Sequence, residues 1–178
     1  MQTIAQNILD LFRSTKVLIV DDEFYTRKVI RTLLSAIGVS NIYDAENGAG
    51  GLEAIRTIMP DAVFLDWEMP ELDGPAFVKA VRAPGAFPYP NVPIVMLTGH
   101  GERWRVEEAM RLGVDDYLLK PVSSKILLDR MVSIMTKPRP IVKIGKYYGP
   151  EPRSTCVYKP VNEASLDEIA LVKELTPR

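Results

Sequence analysis

The stretch that decides the fold is VFLDWEMPELDG, residues 63–74. It opens on an unbroken apolar run, Val63 to Leu65, as expected of a strand covered on both faces. At Asp66 it turns abruptly into acid, proline and glycine, with Glu68 two residues on and Met69-Pro70 behind it. A strand that is apolar up to a carboxylate delivers that carboxylate to the end of a sheet. The Met69-Pro70 to Gly74 segment then shapes the loop beside it.

Outward from this stretch, strand and helix patterns alternate. KVLIV (16–20) is another unbroken apolar run. TRKVIRTLLSAIG follows it, with Val29, Ile30, Leu33 and Ile37 at helical spacing and Gly38 at a C-cap. NIYDA (41–45) is a short strand, and GGLEAIRTI is a helix closed by Pro60. DAVFLD (61–66) is the third strand, and PAFVKAVR is a helix with Pro75 in its first turn. PIVMLT (93–98) and DDYLLK (115–120) are the fourth and fifth strands, separated by ERWRVEEAMRLG, a helix ending at Gly113. SSKILLDRMVSIM completes the series, capped by Ser123 or Ser124. Five strand–helix units in succession predict an α/β fold, a doubly wound parallel sheet with helices on both faces.

The ends differ from this body, which spans 15–136. Residues 1–14 place Ile4, Ile8, Leu11 and Phe12 on one stripe, predicting an extra amphipathic helix. Residues 137–178 form a proline-rich tail. Its first part is basic, with six basic residues and one acid in 136–160. SLDEIALVKEL is a short helix opening on Ser165 and Glu168, with a second stripe through Leu166, Ile169, Ala170 and Leu175. Neither end helix is stable alone at such lengths. Both are therefore expected to be held by the body or across a homodimer, and to form the output surface.

With 178 residues the chain suits one domain with an appendage, and 47% hydrophobic residues can bury a sizeable core. A net charge of -1 creates no bulk field toward nucleic acid or membrane. Cys156 is the single cysteine, which excludes an internal disulfide framework and fits a reducing compartment. No signal-peptide layout opens the chain, and no apolar run approaches the roughly 20 residues of a membrane span. A soluble cytoplasmic protein is expected. The tail is too short and proline-rich for a helix-turn-helix unit with its own core, so no DNA-binding domain is expected. Docking of the tail on the acidic body, or on a partner, is favoured over nucleic-acid contact.

In a parallel sheet the ligand crevice lies beyond the carboxyl ends of the strands. The first strand ends in Asp21 and Asp22, the third in Asp66, the fourth in Thr98 and the fifth in Lys120. One such residue means little; five on one edge point to chemistry. Three carboxylates in one crevice repel one another, and a hard divalent cation such as Mg²⁺ relieves this. Asp66 could act as nucleophile, Lys120 as a compact positive charge for phosphoryl oxygens, and Thr98 as a hydroxyl donor. Phosphoryl transfer needs little beyond such positioning and charge neutralisation.

VLIVDDE, VFLDWEMPELDG, PIVMLTG and DDYLLKPV together resemble the four motifs of the response-regulator receiver domain of two-component signalling. The resemblance covers residues 15–136 and implies a five-stranded flavodoxin-like sheet of order 2-1-3-4-5. It implies that Asp66 is the phosphoacceptor, supplied by a histidine kinase or a histidine phosphotransfer protein. Asp22 and Asp66 would bind Mg²⁺ through side chains, Glu68 through its backbone carbonyl and Asp21 through water. Thr98 and Lys120 would contact the phosphoryl group, Tyr117 would be the switch aromatic, and the Lys120–Pro121 bond would be cis.

The resemblance leaves several residues open. Glu68 either tunes phosphate lifetime or is merely solvated. His100 is read as an exposed loop residue and Trp67 as a partly exposed loop aromatic. Trp104 belongs to the family's partner surface or packs on Tyr117 or the fifth helix. Dimerisation through the fourth helix, fifth strand and fifth helix is the family's common mode. An aspartyl-phosphate hydrolase is the alternative activity, but the first strand ends in DDEFY rather than the D-x-D-x-[TV] of haloacid-dehalogenase-type enzymes. An unphosphorylated scaffold is disfavoured by the intact Asp22, Asp66, Thr98 and Lys120.

Overall fold

The computed structural model describes residues 4–152. Five parallel strands form one sheet in the order β2-β1-β3-β4-β5. They are β1 (Lys16–Val20), β2 (Asn41–Ala45), β3 (Ala62–Asp66), β4 (Ile94–Thr98) and β5 (Asp116–Leu119). The helices are α1 (Ile4–Ser14), α2 (Phe24–Ala36), α3 (Gly48–Ile58), α4 (Gly74–Val81), α5 (Arg103–Leu112) and α6 (Ser124–Thr136). Alternation along the central strands divides the core into two layers. Leu18, Val20, Val63 and Leu65 face Ile55 of α3, Phe77 of α4 and Ala109 of α5. Val17, Ile19, Phe64 and Val95 face Phe12 of α1, Leu34 of α2 and Leu127 of α6. The unbroken apolar runs of β1, β3 and β4 follow from this double burial.

Local chemistry sets the helix boundaries. Asn47, Asp73 and Ser123 each accept a backbone N–H at a helix start, so α3 begins at Gly48 rather than at Gly50. Gly113 closes α5 at φ +93°, a conformation that favours glycine. The Lys120–Pro121 peptide is cis.

The amino-terminal stripe meets the second core layer. Phe12 is fully buried there, Ile8 packs against it, and the hydroxyl of Thr15 donates to the carbonyl of Leu11 at 2.8 Å. Leu11, expected on the buried stripe, is 36% exposed, to one side of the line through Ile8 and Phe12 that faces the second core layer.

The sequence pattern predicts no strand after α6, yet the chain forms an antiparallel hairpin, β6 (Ile141–Ile144) and β7 (Tyr147–Pro150). Gly145, at φ +59°, makes the tight turn. The hairpin lies against the α5 end of the body. A Cβ on Gly149 would stand 2.8 Å from the Cα of Gly113, so the two backbones touch where side chains cannot fit. Arg139 donates to the carbonyls of Val114, Asp115 and Glu151. Tyr148 adds a side-chain bond, its hydroxyl donating to Asn91 Oδ1 at 2.6 Å. Beneath the hairpin, Arg82 donates to the carbonyls of Gly113 and Val92, both at 2.8 Å, and pairs with Asp115 at 3.1 Å. The expected helix 165–175 with its Ser165–Glu168 cap, and Cys156, lie outside the described residues.

Candidate phosphoryl-transfer site

The carboxyl ends of β1, β3, β4 and β5 meet above the sheet. Lys120 sits just past β5, and its Nζ donates to Asp21 Oδ2 at 2.7 Å and to Asp66 Oδ1 at 2.6 Å. Asp21 is fully buried and also accepts the backbone N–H of Glu23 at 2.8 Å. Asp22 is exposed at the mouth. Carboxylate oxygens of Asp21, Asp22 and Asp66 lie within 4.8 Å of one another. Thr98 is buried at the end of β4, its Oγ1 accepting the N–H of His100 at 3.1 Å. A cleft of about 480 Å³ opens over these groups, bordered also by Glu68 and His100.

The loop after β3 is set by a close approach. A Cβ on Gly74 would stand 2.6 Å from the Asp66 carbonyl oxygen and 3.0 Å from the Trp67 Cα. Gly74 N–H donates to the Trp67 carbonyl at 2.9 Å, so the chain folds back on itself directly behind the carboxylate.

Charge around Lys120 is unbalanced, with the three clustered carboxylates of Asp21, Asp22 and Asp66 against one ammonium. Burial pushes the Asp66 carboxyl above its ordinary value, outweighing the lowering effect of Lys120. Burial alone would pull Lys120 down, but Asp21 and Asp66 outweigh it and hold the ammonium above its ordinary value. A hard divalent cation fits this donor set, since clustered carboxylate oxygens are what Mg²⁺ coordinates.

Trp67 corrects an expectation. Its place after a strand end predicts a partly exposed loop aromatic, but it is 6% exposed and part of the core. Its ring meets Trp104 and Tyr117 edge-on, with centroids 6.4 and 6.2 Å apart. The Arg105 guanidinium lies over both tryptophan rings, 5.4 Å from Trp67 and 5.0 Å from Trp104. Arg105 also donates to Glu68 at 2.8 Å, and that hydrogen bond is the main reason Glu68 sits below its ordinary carboxyl range. Glu68 is therefore exposed but not simply solvated. Trp104 remains 56% exposed, its ring resting on that of Trp67. Tyr117 is half-buried, and its hydroxyl donates to the His100 carbonyl at 2.7 Å, tying β5 to the loop after Thr98. Sequence reasoning missed Arg105, because nothing local marks one arginine of a charged helix as the partner of residues 67 and 68.

The profile of the response regulator receiver domain matches residues 17–132. The chain belongs to this family. Receiver domains are signalling switches of two-component systems. The Helicobacter pylori chemotaxis protein CheY1 is 33% identical over 121 residues, covering 67% of this chain and 96% of that protein. A probable transcriptional regulator, ycf27 of Guillardia theta, is 39% identical over 129 residues, covering 72% of this chain but 48% of that protein. Among solved structures, Vibrio cholerae chemotaxis protein CheY4 aligns at a TM-score of 0.60 with 31% identity, over 66% of this chain and 95% of that one. The Francisella response regulator 1452 receiver domain aligns at 0.63 with 29% identity, over 71% and 100%. The sheet order 2-1-3-4-5 predicted from the resemblance is the order found. No helix among the described residues is long and apolar enough to cross a membrane.

Proposed function

We propose that this receiver takes a phosphoryl group onto Asp66 from a phosphohistidine of a kinase or phosphotransfer protein, and signals through protein contacts. The observation that carries this is the Asp66 carboxylate, 6% exposed at the end of β3, 2.6 Å from the Lys120 ammonium and clustered with Asp21 and Asp22. An Asp66 oxygen attacks phosphorus, a P–O bond forms, the P–N bond to imidazole breaks, and the imidazole leaves neutral, keeping the proton already on its other ring nitrogen. Lys120 balances charge on the phosphoryl oxygens, and the Thr98 hydroxyl donates to another of them. Mg²⁺, held by the Asp22 and Asp66 side chains and the Glu68 carbonyl, with Asp21 acting through water, would neutralise the charge on the transferring group.

A protein donor suits the rim of the cleft. Phe24, Tyr25 and Val29 at the start of α2 are 61, 74 and 55% exposed, an apolar surface beside Glu23 of the cleft wall. Residues 15–136 form the switch, with Thr98 and Tyr117 as its moving parts. The segments 1–14 and 137–178 contribute the output surface. Trp104, Leu119 and Ile126, exposed on α5, β5 and α6, suit a downstream partner or a second copy.

Incubation with Mg²⁺ and a small phosphodonor, followed by intact-mass measurement, tests the assignment. One phosphoryl group is expected on the wild type and none on Asp66→Asn. Uptake by Asp66→Asn at the wild-type rate and stoichiometry would overturn it.

A further inference from the structure

Helix α5 is tied at both ends. At its amino end, Trp104 rests on the ring of Trp67, and Arg105 covers both rings while bonding Glu68. Trp67 and Glu68 directly follow Asp66 in the chain. At its carboxyl end, Gly113 lies against the hairpin, where a Cβ on it would stand 2.9 Å from the Tyr148 carbonyl. Arg139 grips the next two carbonyls, of Val114 and Asp115, and Arg82 holds the carbonyl of Gly113. A ten-residue helix is a stiff rod about 15 Å long, so a shift imposed at Trp104 is not absorbed before it reaches Gly113.

We propose that α5 couples the state of Asp66 to the hairpin 141–150, making the hairpin an intramolecular reader of the acid cleft. The proposal rests on the reading of Asp66 as phosphoacceptor. A phosphoryl group brings close to two negative charges to the residue next to Trp67 and two before Glu68. That charge acts on the Trp67–Glu68 segment to which Arg105 is bonded, and a shift of this segment carries with it the tryptophan stack on which α5 rests. The hairpin lies outside the residues 17–132 that match the receiver profile, so the coupling belongs to this chain's own extension. Coupling is reciprocal: if the cleft biases the hairpin, undocking the hairpin must perturb the cleft.

The test uses the full chain in two arms. In the first, amide exchange across 141–149 is compared with and without beryllofluoride and Mg²⁺, a phosphoryl mimic whose binding is read independently by fluorine NMR. A change of about fivefold or more is expected, the lower end of usual coupling strengths. In the second, without any mimic, Gly149→Ala forces the hairpin off Gly113, and the indole N–H signals of Trp67 and Trp104 are expected to move. Arg139→Ala, which removes the grip on the carbonyls, serves if Gly149→Ala does not fold. Unchanged exchange with beryllofluoride bound, or unmoved indole signals with the hairpin undocked, overturns the coupling. Failure of beryllofluoride to bind overturns the phosphoacceptor reading instead, and the second arm alone then decides whether α5 links cleft and hairpin.

Discussion

Replacing Lys120 with methionine tests how the acid cluster is held. The ammonium bonds both Asp21 and Asp66, at 2.7 and 2.6 Å, and the two carboxylates are 0 and 6% exposed. Both border the cleft but are largely buried, so water through the cleft replaces only part of the lost cation. Methionine fills much of the same volume without charge, so the folded protein must either keep two ionised neighbours or protonate one. The second option sets a ceiling. A carboxyl that ordinarily titrates at 3.8 costs about 4.4 kcal/mol to hold protonated at pH 7, at 1.36 kcal/mol per unit. That agrees with the loss of about 3–5 kcal/mol when one partner is stripped from a buried pair. Urea denaturation without divalent cations should therefore show Lys120→Met less stable by about 3–4 kcal/mol at pH 7. The sign of the pH dependence follows from the raised carboxyl. A group whose folded pKa lies above its unfolded value costs nothing below the unfolded value and its full penalty above the folded one. The deficit should thus nearly vanish at about pH 3 and grow as pH rises through the raised value. Mg²⁺ should recover part of it by neutralising the same oxygens. Equal losses at both pH values, or no loss at pH 7, would refute this account of the cluster.

Further outcomes follow from the same contacts. Mg²⁺ should raise the melting midpoint of the wild type, by up to about 2.7 kcal/mol of added stability at a hundredfold excess over Kd. Asp22→Ala should blunt that gain, and identical midpoints with and without the ion would count against the site. Gly74→Ala places a Cβ 2.6 Å from the Asp66 carbonyl, so it should cost about 1–3 kcal/mol in chemical denaturation and slow phosphorylation of Asp66. A variant with wild-type stability and rate would mean that the loop is slack. Phe12→Ala empties a fully buried site under α1 and should cost about 3–5 kcal/mol, read by the same denaturation.

The residues 63–74 told most of what one strand can tell. Three apolar residues and a terminal aspartate fix a doubly covered strand and the position of Asp66, because burial on both faces leaves its mark in every residue of the run. The same logic placed Asp21, Asp22, Thr98 and Lys120 on one edge, and the order of the five strands came with the motif resemblance. The sequence could not show that Lys120 bonds Asp21 as well as Asp66, since that depends on how β1 and β5, at opposite sides of β3 and β4, converge above the sheet. Nor could it place Trp67 in the core. A tryptophan after a strand end reads as a loop residue until α5 brings Arg105 and Trp104 over it. The hairpin had a local signal, the two-residue Gly145-Lys146 turn between apolar runs, and the proline-rich basic composition masked it. Its docking had no local one: Arg139 meets backbone carbonyls, which every residue carries, Tyr148 meets an asparagine 57 residues away, and Gly113 meets Gly149 through the absence of side chains. Contacts made by backbone and by empty space leave no pattern in a sequence, and only the folded chain brings them together.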